Sequence, residues 1–261
     1  MEINNLGLLN SLSSIINSEK LDNIDYVLAN YILKNLYRIS NISILEITEE
    51  CFTSRSAVRR FCLRLGYDNF SELKNSVTRL VFPSNLRYRD IKGYMGYKSH
   101  IKNLITDIII DIDEQLNSEK INYLCELIHT DVNVVFLCAN NTSGDIMRFQ
   151  QELMFASKII HVVSTSFTKS DVLKSLKEED IIFNVSASGK FAELSSEFIK
   201  SLKGRKFLIT ANKDEKIRGD YEEVFYISKN SISNDYLSIY GKYGVTYILD
   251  LISMQYLFLY S

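Results

Sequence analysis

Two short helical patterns stand back to back between Ser43 and Leu73, in the stretch SILEITEECFTSRSAVRRFCLRLGYDNFSEL, and no other feature of the chain limits its fold as tightly. The first opens with Ser43 as candidate N-cap and Glu46 three residues later, a capping box in which each residue satisfies the other's free backbone N–H. Its apolar face is Ile44, Ile47 and Cys51. The second begins at Ser54, where Val58, Phe61, Cys62 and Leu65 follow the i, i+3, i+4, i+7 rule for one buried stripe. That stripe turns Arg55, Ser56, Arg59 and Arg60 outward near the helix start. Arginine presents a planar fork of donors to a phosphate or to the paired acceptors of guanine, and the N-terminal part of a second helix is where groove docking puts base contacts. The spacing predicts a helix-turn-helix, with Ser43, Ser54, Arg55, Ser56, Arg59 and Arg60 as candidate contacts to double-stranded DNA.

Charge supports that expectation. Net charge is −2, but residues 53–98 hold ten Lys or Arg against Asp68, Glu72 and Asp90, a balance of +7 that leaves −9 for the remainder. A basic segment in an otherwise acidic chain fits a polyanion, because Lys and Arg displace condensed counterions from a phosphate backbone. The bland alternative is a solvated charged face.

Around the pair, residues 7–18 and 21–37 read as helices, the latter with Ile24, Val27, Leu28, Tyr31, Ile32 and Leu36 in one stripe. Another helix follows Asn69, which caps with Glu72 at the third helical position. The expected division is a helical domain over 1–80, a linker over 81–98 and a second domain over 99–261. Pro83, the sole proline, opens the linker, where two glycines and four basic residues lack apolar periodicity.

From Ser99 helical spacing returns: Ile101, Leu104, Ile105, Ile108, Ile109 and Ile112 make an apolar face wide enough to be buried or shared with a partner. Ser118 is the expected cap of a helix with Ile121, Leu124, Cys125 and Ile128 on one side. Beyond Thr130, short apolar runs at 132–138, 159–163, 181–185, 206–210 and 224–227 alternate with helical stretches at 144–157, 169–177 and 192–202, before a long closing helix over 240–259. Strands separated by helices imply right-handed crossovers and a parallel sheet covered on both faces.

In such a sheet, ligands sit outside the carboxyl ends of the strands, where helix N-termini aim free N–H groups at an anion. Two strand ends are rich in hydroxyls and small residues: Cys138 to Gly144, and Ser186-Ala187-Ser188-Gly189-Lys190. Hydroxyls from Ser186 and Ser188, close approach at Gly189 and charge from Lys190 fit a phosphate or a cluster of sugar hydroxyls. The candidate ligand residues are Asn140, Thr142, Ser143, Ser186, Ser188, Gly189, Lys190 and Glu193.

Metal and disulfide chemistry have little support: Cys51, Cys62, Cys125 and Cys138 form no CxxC pair and sit in apolar patterns, and His100, His129 and His161 are scattered. No cofactor is expected. The start of the chain lacks a basic, cleavable leader and the longest uncharged run, Ile3 to Ser18, is too short to span a bilayer, so the expected location is cytoplasmic with no membrane contact.

Two family resemblances follow from particular residues. Ser43-Ile44-x-x-Ile47-x-x-x-Cys51, then Thr53-Ser54-x-x-x-Val58-x-Arg60-Phe61-Cys62-x-x-Leu65-Gly66-Tyr67-x-x-Phe70-x-Glu72-Leu73-Lys74, resembles the N-terminal domain of the RpiR family, bacterial transcription regulators that sense phosphosugars. Phe52 stands where that family usually has glycine, so a bulky residue there must avoid or tolerate positive φ. Ala57 replaces a usual Thr. The second half resembles the sugar isomerase (SIS) domain, through Ser186-x-Ser188-Gly189 with Glu193 beyond. That resemblance implies an all-α helix-turn-helix domain followed by an α/β SIS domain, whose five-stranded parallel sheet binds a phosphosugar effector and forms a homodimer or homotetramer. Departures are Cys138, Asn140 and Thr142 in place of Gly-x-Gly-x-Ser, Phe191 for a usual Thr, and the charged run 211–216. Three readings stay open for this half: a phosphosugar sensor, a domain that keeps only dimerisation, and a sugar-phosphate isomerase with Glu193 as base.

Overall fold

The computed structural model describes residues 8–78, 93–164, 167, 170–219, 221–230 and 239–261, apart from the side chains of Asn10, Thr78, Asn140 and Asn141. The chain separates into two compact units, Met1–Phe82 and Pro83–Ser261. Pro83, Arg79, Arg87, Arg89 and Lys92, on which the linker and part of the basic segment were expected, lie outside the described residues.

The described residues of the first unit form helices and the turns between them: α1 (Leu8–Ser18), α2 (Ile24–Lys34), a 3-10 turn (Leu36–Asn41), α3 (Ile44–Glu50), α4 (Arg55–Arg64) and α5 (Phe70–Thr78). Each helix gives one stripe to a common core of Leu12, Leu28, Ile32, Ile39, Ile42, Ile47, Val58, Phe61, Cys62, Tyr67 and Leu73. Burying each of the larger side chains contributes about 1.5–3 kcal/mol, which outweighs the modest helix propensity of such short segments. Caps fix the ends. Asn23, Ser43, Ser54 and Asn69 accept from the first-turn N–H of Asp25, Glu46, Ala57 and Glu72.

Two helix ends in this unit are built alike. After α4, Gly66 N–H donates to Leu63 O and Tyr67 N–H to Cys62 O, with Gly66 at φ 85°. After α3, Phe52 N–H donates to Glu49 O and Thr53 N–H to Thr48 O, with Phe52 at φ 48°. Both are Schellman turns, and Phe52 takes the left-handed position that glycine usually fills. The backbone therefore tolerates positive φ at Phe52, at a cost of about 1–2 kcal/mol.

The second unit opens with α6 (Gly93–Gln115), which starts inside the expected linker, and α7 (Ser118–Ile128). Asn117, not Ser118, caps α7: its Oδ1 accepts from Lys120 N–H at 3.0 Å, and Ser118 becomes the first helical residue. There follow β1 (Val134–Cys138), α8 (Asn140–Met154), β2 (His161–Val163), the single turn α9 (Asp171–Lys174), β3 (Ile181–Val185), α10 (Lys190–Ser201), β4 (Arg205–Thr210), β5 (Glu223–Tyr226) and α11 (Val245–Tyr260). The expected closing helix begins as a π turn, Tyr240–Gly244. All five strands are parallel, in the order β2-β1-β3-β4-β5.

One sheet face carries a row of phenyl rings, Phe136 on Phe183 (4.8 Å), Phe183 by Phe207 (5.4 Å) and Phe207 by Phe225 (6.3 Å), under α7, α8 and α11. The amino ends of the strands are pinned by Asp180, 2 % exposed. Its carboxylate accepts from Lys177 N–H (2.8 Å), Asn133 N–H (3.0 Å) and Asn133 Nδ2, while its carbonyl accepts from Arg205 N–H (2.8 Å). Burial pushes this carboxyl up, but the hydrogen bonds from Lys177 and Asn133 outweigh it and hold the group below its ordinary pKa.

Candidate functional site

In the first unit, α4 hides Ala57, Val58, Phe61 and Cys62 and leaves Arg55, Ser56, Arg59 and Arg60 exposed along its first two turns. Ser54, the cap, holds Ser56 Oγ at 2.8 Å. Ser43 is exposed at the start of α3. Glu46, its capping-box partner, is shared: the Ser43 backbone contributes to lowering its pKa, yet the first cause is the bond from Arg38, whose Nη1 lies 2.7 Å from Oε1. Tyr31 also donates to that oxygen, at 3.2 Å. This network ties α3 to α2 and the 3-10 turn, so the orientation of the helix pair is set from behind.

Not every basic residue of the segment is free to meet an anion. Arg64 pairs with Glu19 (2.7 Å) and with Asp25, and Lys74 donates to Ile42 O (2.9 Å). Both are spent on holding the bundle together. Among the described residues none pairs with Arg55, Arg59 or Arg60, so unpaired positive charge concentrates on the exposed face of α4. Sequence spacing alone did not separate these two groups of cations.

In the second unit the strand order reverses between β1 and β3. The helix after β1 runs to β2 on one side and the helix after β3 runs to β4 on the other; in open α/β sheets the carboxyl ends of the strands at such a switch point are where a ligand crevice forms. Cys138 of β1 lies in register with Val185 of β3, so Ala139 and Ser186 follow side by side. Helix α8 begins at once, at Asn140, rather than at Gly144: Asn140, Thr142 and Ser143 belong to its first turn and not to a loop. The N-cap, Ala139, has no side-chain oxygen to offer, which leaves the first N–H groups of α8 without that kind of partner. The side chain of Asn140 lies outside the description; Thr142 and Ser143 are half-buried.

The β3 to α10 turn is held in detail. Ser186 is buried and its Oγ accepts from Ala192 N–H at 3.1 Å, so it braces the start of α10 instead of facing the crevice. Ser188 is half-buried, with Oγ only 3.4 Å from Lys190 N–H, a loose contact that leaves the hydroxyl available. Gly189 sits at φ 77°, and a Cβ there would meet Asn212 Nδ2 at 2.6 Å. Asn212 in turn donates to Ser188 O (2.9 Å), and Ala187 O accepts from Ala211 N–H (2.9 Å). With carbonyls tied back to β4, the N–H groups of Ser188 and Phe191 have no partner among the described residues. Lys190 and Glu193 are exposed on the first turn of α10.

Phe191, which stands where the SIS family usually has Thr, is buried and packs on Phe167 at 5.6 Å. Asn212 is the residue that sequence reasoning missed, having read 211–216 only as charged. Its Oδ1 accepts from Asp214 N–H at 2.8 Å, an Asx turn legible in the Asn-Lys-Asp spacing. The π turn also borders the crevice, since a Cβ on Gly241 would lie 3.6 Å from Ala187 Cβ. Among the described residues no His, Cys, Asp or Glu group could hold a metal ion, and no helix is long and apolar enough to cross a membrane. All four cysteines are buried thiols; burial pushes Cys51 and Cys62 up to about 11 and Cys125 and Cys138 up to about 12.

Residues 7–81 match the helix-turn-helix domain of the rpiR family. The uncharacterized HTH-type transcriptional regulator YbbH of Bacillus subtilis is 26% identical over 179 residues, 66% of this chain and 62% of that protein, so the match spans less than two thirds of that relative. The HTH-type transcriptional regulator GlvR of the same organism is 24% identical over 206 residues, covering 77% of this chain and 76% of that protein. Among solved structures, Vibrio vulnificus NanR complexed with ManNAc-6P aligns over 97% of this chain and 92% of its own, at 16% identity and a TM-score of 0.49.

Proposed function

We infer that this chain, whose residues 7–81 form a helix-turn-helix domain of the rpiR family, is a transcriptional regulator that binds double-stranded DNA through α4. The observation that carries the reading is that Arg55, Arg59 and Arg60, on a helix whose other face is core, have no partner among the described residues. Replacing Arg59 and Arg60 by Ala weakens duplex binding, and the dependence of log K on log salt becomes shallower by about one per lost phosphate contact. Anisotropy titrations at several salt concentrations measure both; wild-type affinity with an unchanged slope removes α4 from the groove.

The second unit, which we read as a SIS-type domain over 99–261 joined by a linker over 81–98, takes a phosphorylated sugar at the switch point. Support comes from two helix N-termini, those of α8 and α10, standing at the carboxyl ends of the adjacent strands β1 and β3, with the N–H groups of Ser188 and Phe191 lacking a partner among the described residues. Binding there shifts DNA affinity to the extent that the ligand prefers one arrangement of the assembly. A panel of sugar phosphates is expected to contain at least one that raises the melting temperature; a flat panel favours the second reading, a domain kept for dimerisation. A sugar-phosphate isomerase is the weaker alternative, since Glu193 is exposed and no described histidine stands beside either loop.

Self-association as a homodimer or homotetramer is part of the same reading. Large apolar side chains stand exposed on α8 and α11, among them Met147, Met254 and Phe258. In a two-fold assembly the recognition helices sit about 34–36 Å apart when they occupy successive major grooves. The cytoplasm, where operators are, is the location this role requires.

A further inference from the structure

Phe52 is where the first unit departs from what its own stability asks. It fills the left-handed position of the turn closing α3, while Gly66 fills the equivalent position after α4 with the same pair of hydrogen bonds. Glycine serves that geometry without strain. The phenyl group returns nothing to the fold, being 96 % exposed and packed against no described ring. The residues on either side behave otherwise: Cys51 is buried in the core and Thr53 leads directly into the Ser54 cap. Backbone strain and an apolar ring in water thus coincide at one position, in the turn of the helix pair. Three peptide steps separate Phe52 from Arg55, at most about 10 Å of chain, so the ring stands within reach of a duplex that α4 enters. Strain that the fold does not use is characteristic of residues that act on a ligand.

We propose that Phe52 is a DNA-contacting residue, its ring laid against the apolar sugar edge of the backbone beside the groove that α4 occupies. The proposal rests on the duplex-binding reading and adds a contact that no charge supplies. Deoxyribose carbons and thymine methyls are the apolar surfaces a duplex offers, and the unpaired Arg55, Arg59 and Arg60 make the adjoining helix attractive to its phosphates. Exposed Glu49 and Glu50 on the last turn of α3 define the competing occupant, a basic protein surface.

The test uses the full chain and a duplex of about 30 base pairs, long enough for two half-sites one helical turn apart, enriched by the wild type from a random pool. Phe52→Gly is expected to raise the melting temperature of the N-terminal transition by a few degrees, because the strain is relieved. It is also expected to weaken duplex binding about 5- to 10-fold with the salt slope unchanged, since a phenyl ring releases no counterions. Phe52→Leu, which keeps both strain and apolar bulk, retains most of the affinity. A gain in stability with a loss of binding is a pattern that a purely structural role does not produce. Wild-type affinity in Phe52→Gly overturns the proposal and points to the protein surface instead, while Arg59→Ala, losing affinity and slope in the same assay, shows that the duplex-binding reading itself stands. If the wild type enriches no duplex, both fall together.

Discussion

At the scale of single residues, Ser186 and Ser188 show how alike two side chains look in sequence and how differently they are used. Ser186 Oγ is committed to Ala192 N–H, whereas Ser188 Oγ has only a 3.4 Å contact with Lys190 N–H. Ser186→Ala is expected to lower stability by about 1 kcal/mol, the usual loss for a missing helix cap, and to perturb ligand binding only through α10. Ser188→Ala is expected to leave the unliganded melting temperature within about a degree and to reduce the shift given by a sugar phosphate. Thermal shift on the two variants side by side separates bracing from contact; equal loss of ligand response with equal destabilisation places both hydroxyls in the scaffold. Arg64 and Arg59 make the same point for charge, one locked between Glu19 and Asp25 and the other without a partner among the described residues.

At the scale of elements, the sheet depends on how its amino ends are gathered. Asp180 joins the starts of β1, β3 and β4 through three groups that no strand pattern advertises. Its pKa is held below the ordinary value, so the stability it contributes is fully present above about pH 4, the ordinary carboxylate value, and is lost as pH falls through the lower folded value. Asp180→Asn is expected to cost about 1.5–3 kcal/mol at pH 7, the worth of hydrogen bonds to a charged acceptor, with the difference from wild type shrinking in acid. Urea titrations at pH 7 and pH 3 read this directly, and a pH-independent difference discards the carboxylate as the cause. Element ends were the least legible part of the sequence. Helix α8 starts four residues earlier than its apolar period because Asn140 to Ser143 have no apolar side chain to mark them, and the π turn before α11 carries the same spacing as a helix.

At the scale of the whole molecule, the apolar side chains left in water on α8 and α11 call for a covering surface. Phe258 is the most exposed of those on α11. Phe258→Glu is expected to shift the assembly to a smaller species in sedimentation, because a charge buried at an interface without a partner opposes association. An unchanged sedimentation coefficient moves the interface elsewhere. If association sets the spacing of the α4 helices, the same variant also loses affinity for a two-site duplex while keeping that for a single half-site.

The sequence by itself determined the two-part organisation, the helix pair with its exposed arginines, and the alternation of strands and helices. All of these rest on local periodicity, which is written within a few turns of chain. Tertiary structure alone decided which cations are paired within the bundle, which serine hydroxyl braces a helix start, how four phenyl rings align across the sheet, and that Asn212 fills the space Gly189 leaves. Each of those depends on groups far apart in sequence meeting at a few ångströms, and hydrogen bonds and close packing act over no greater range.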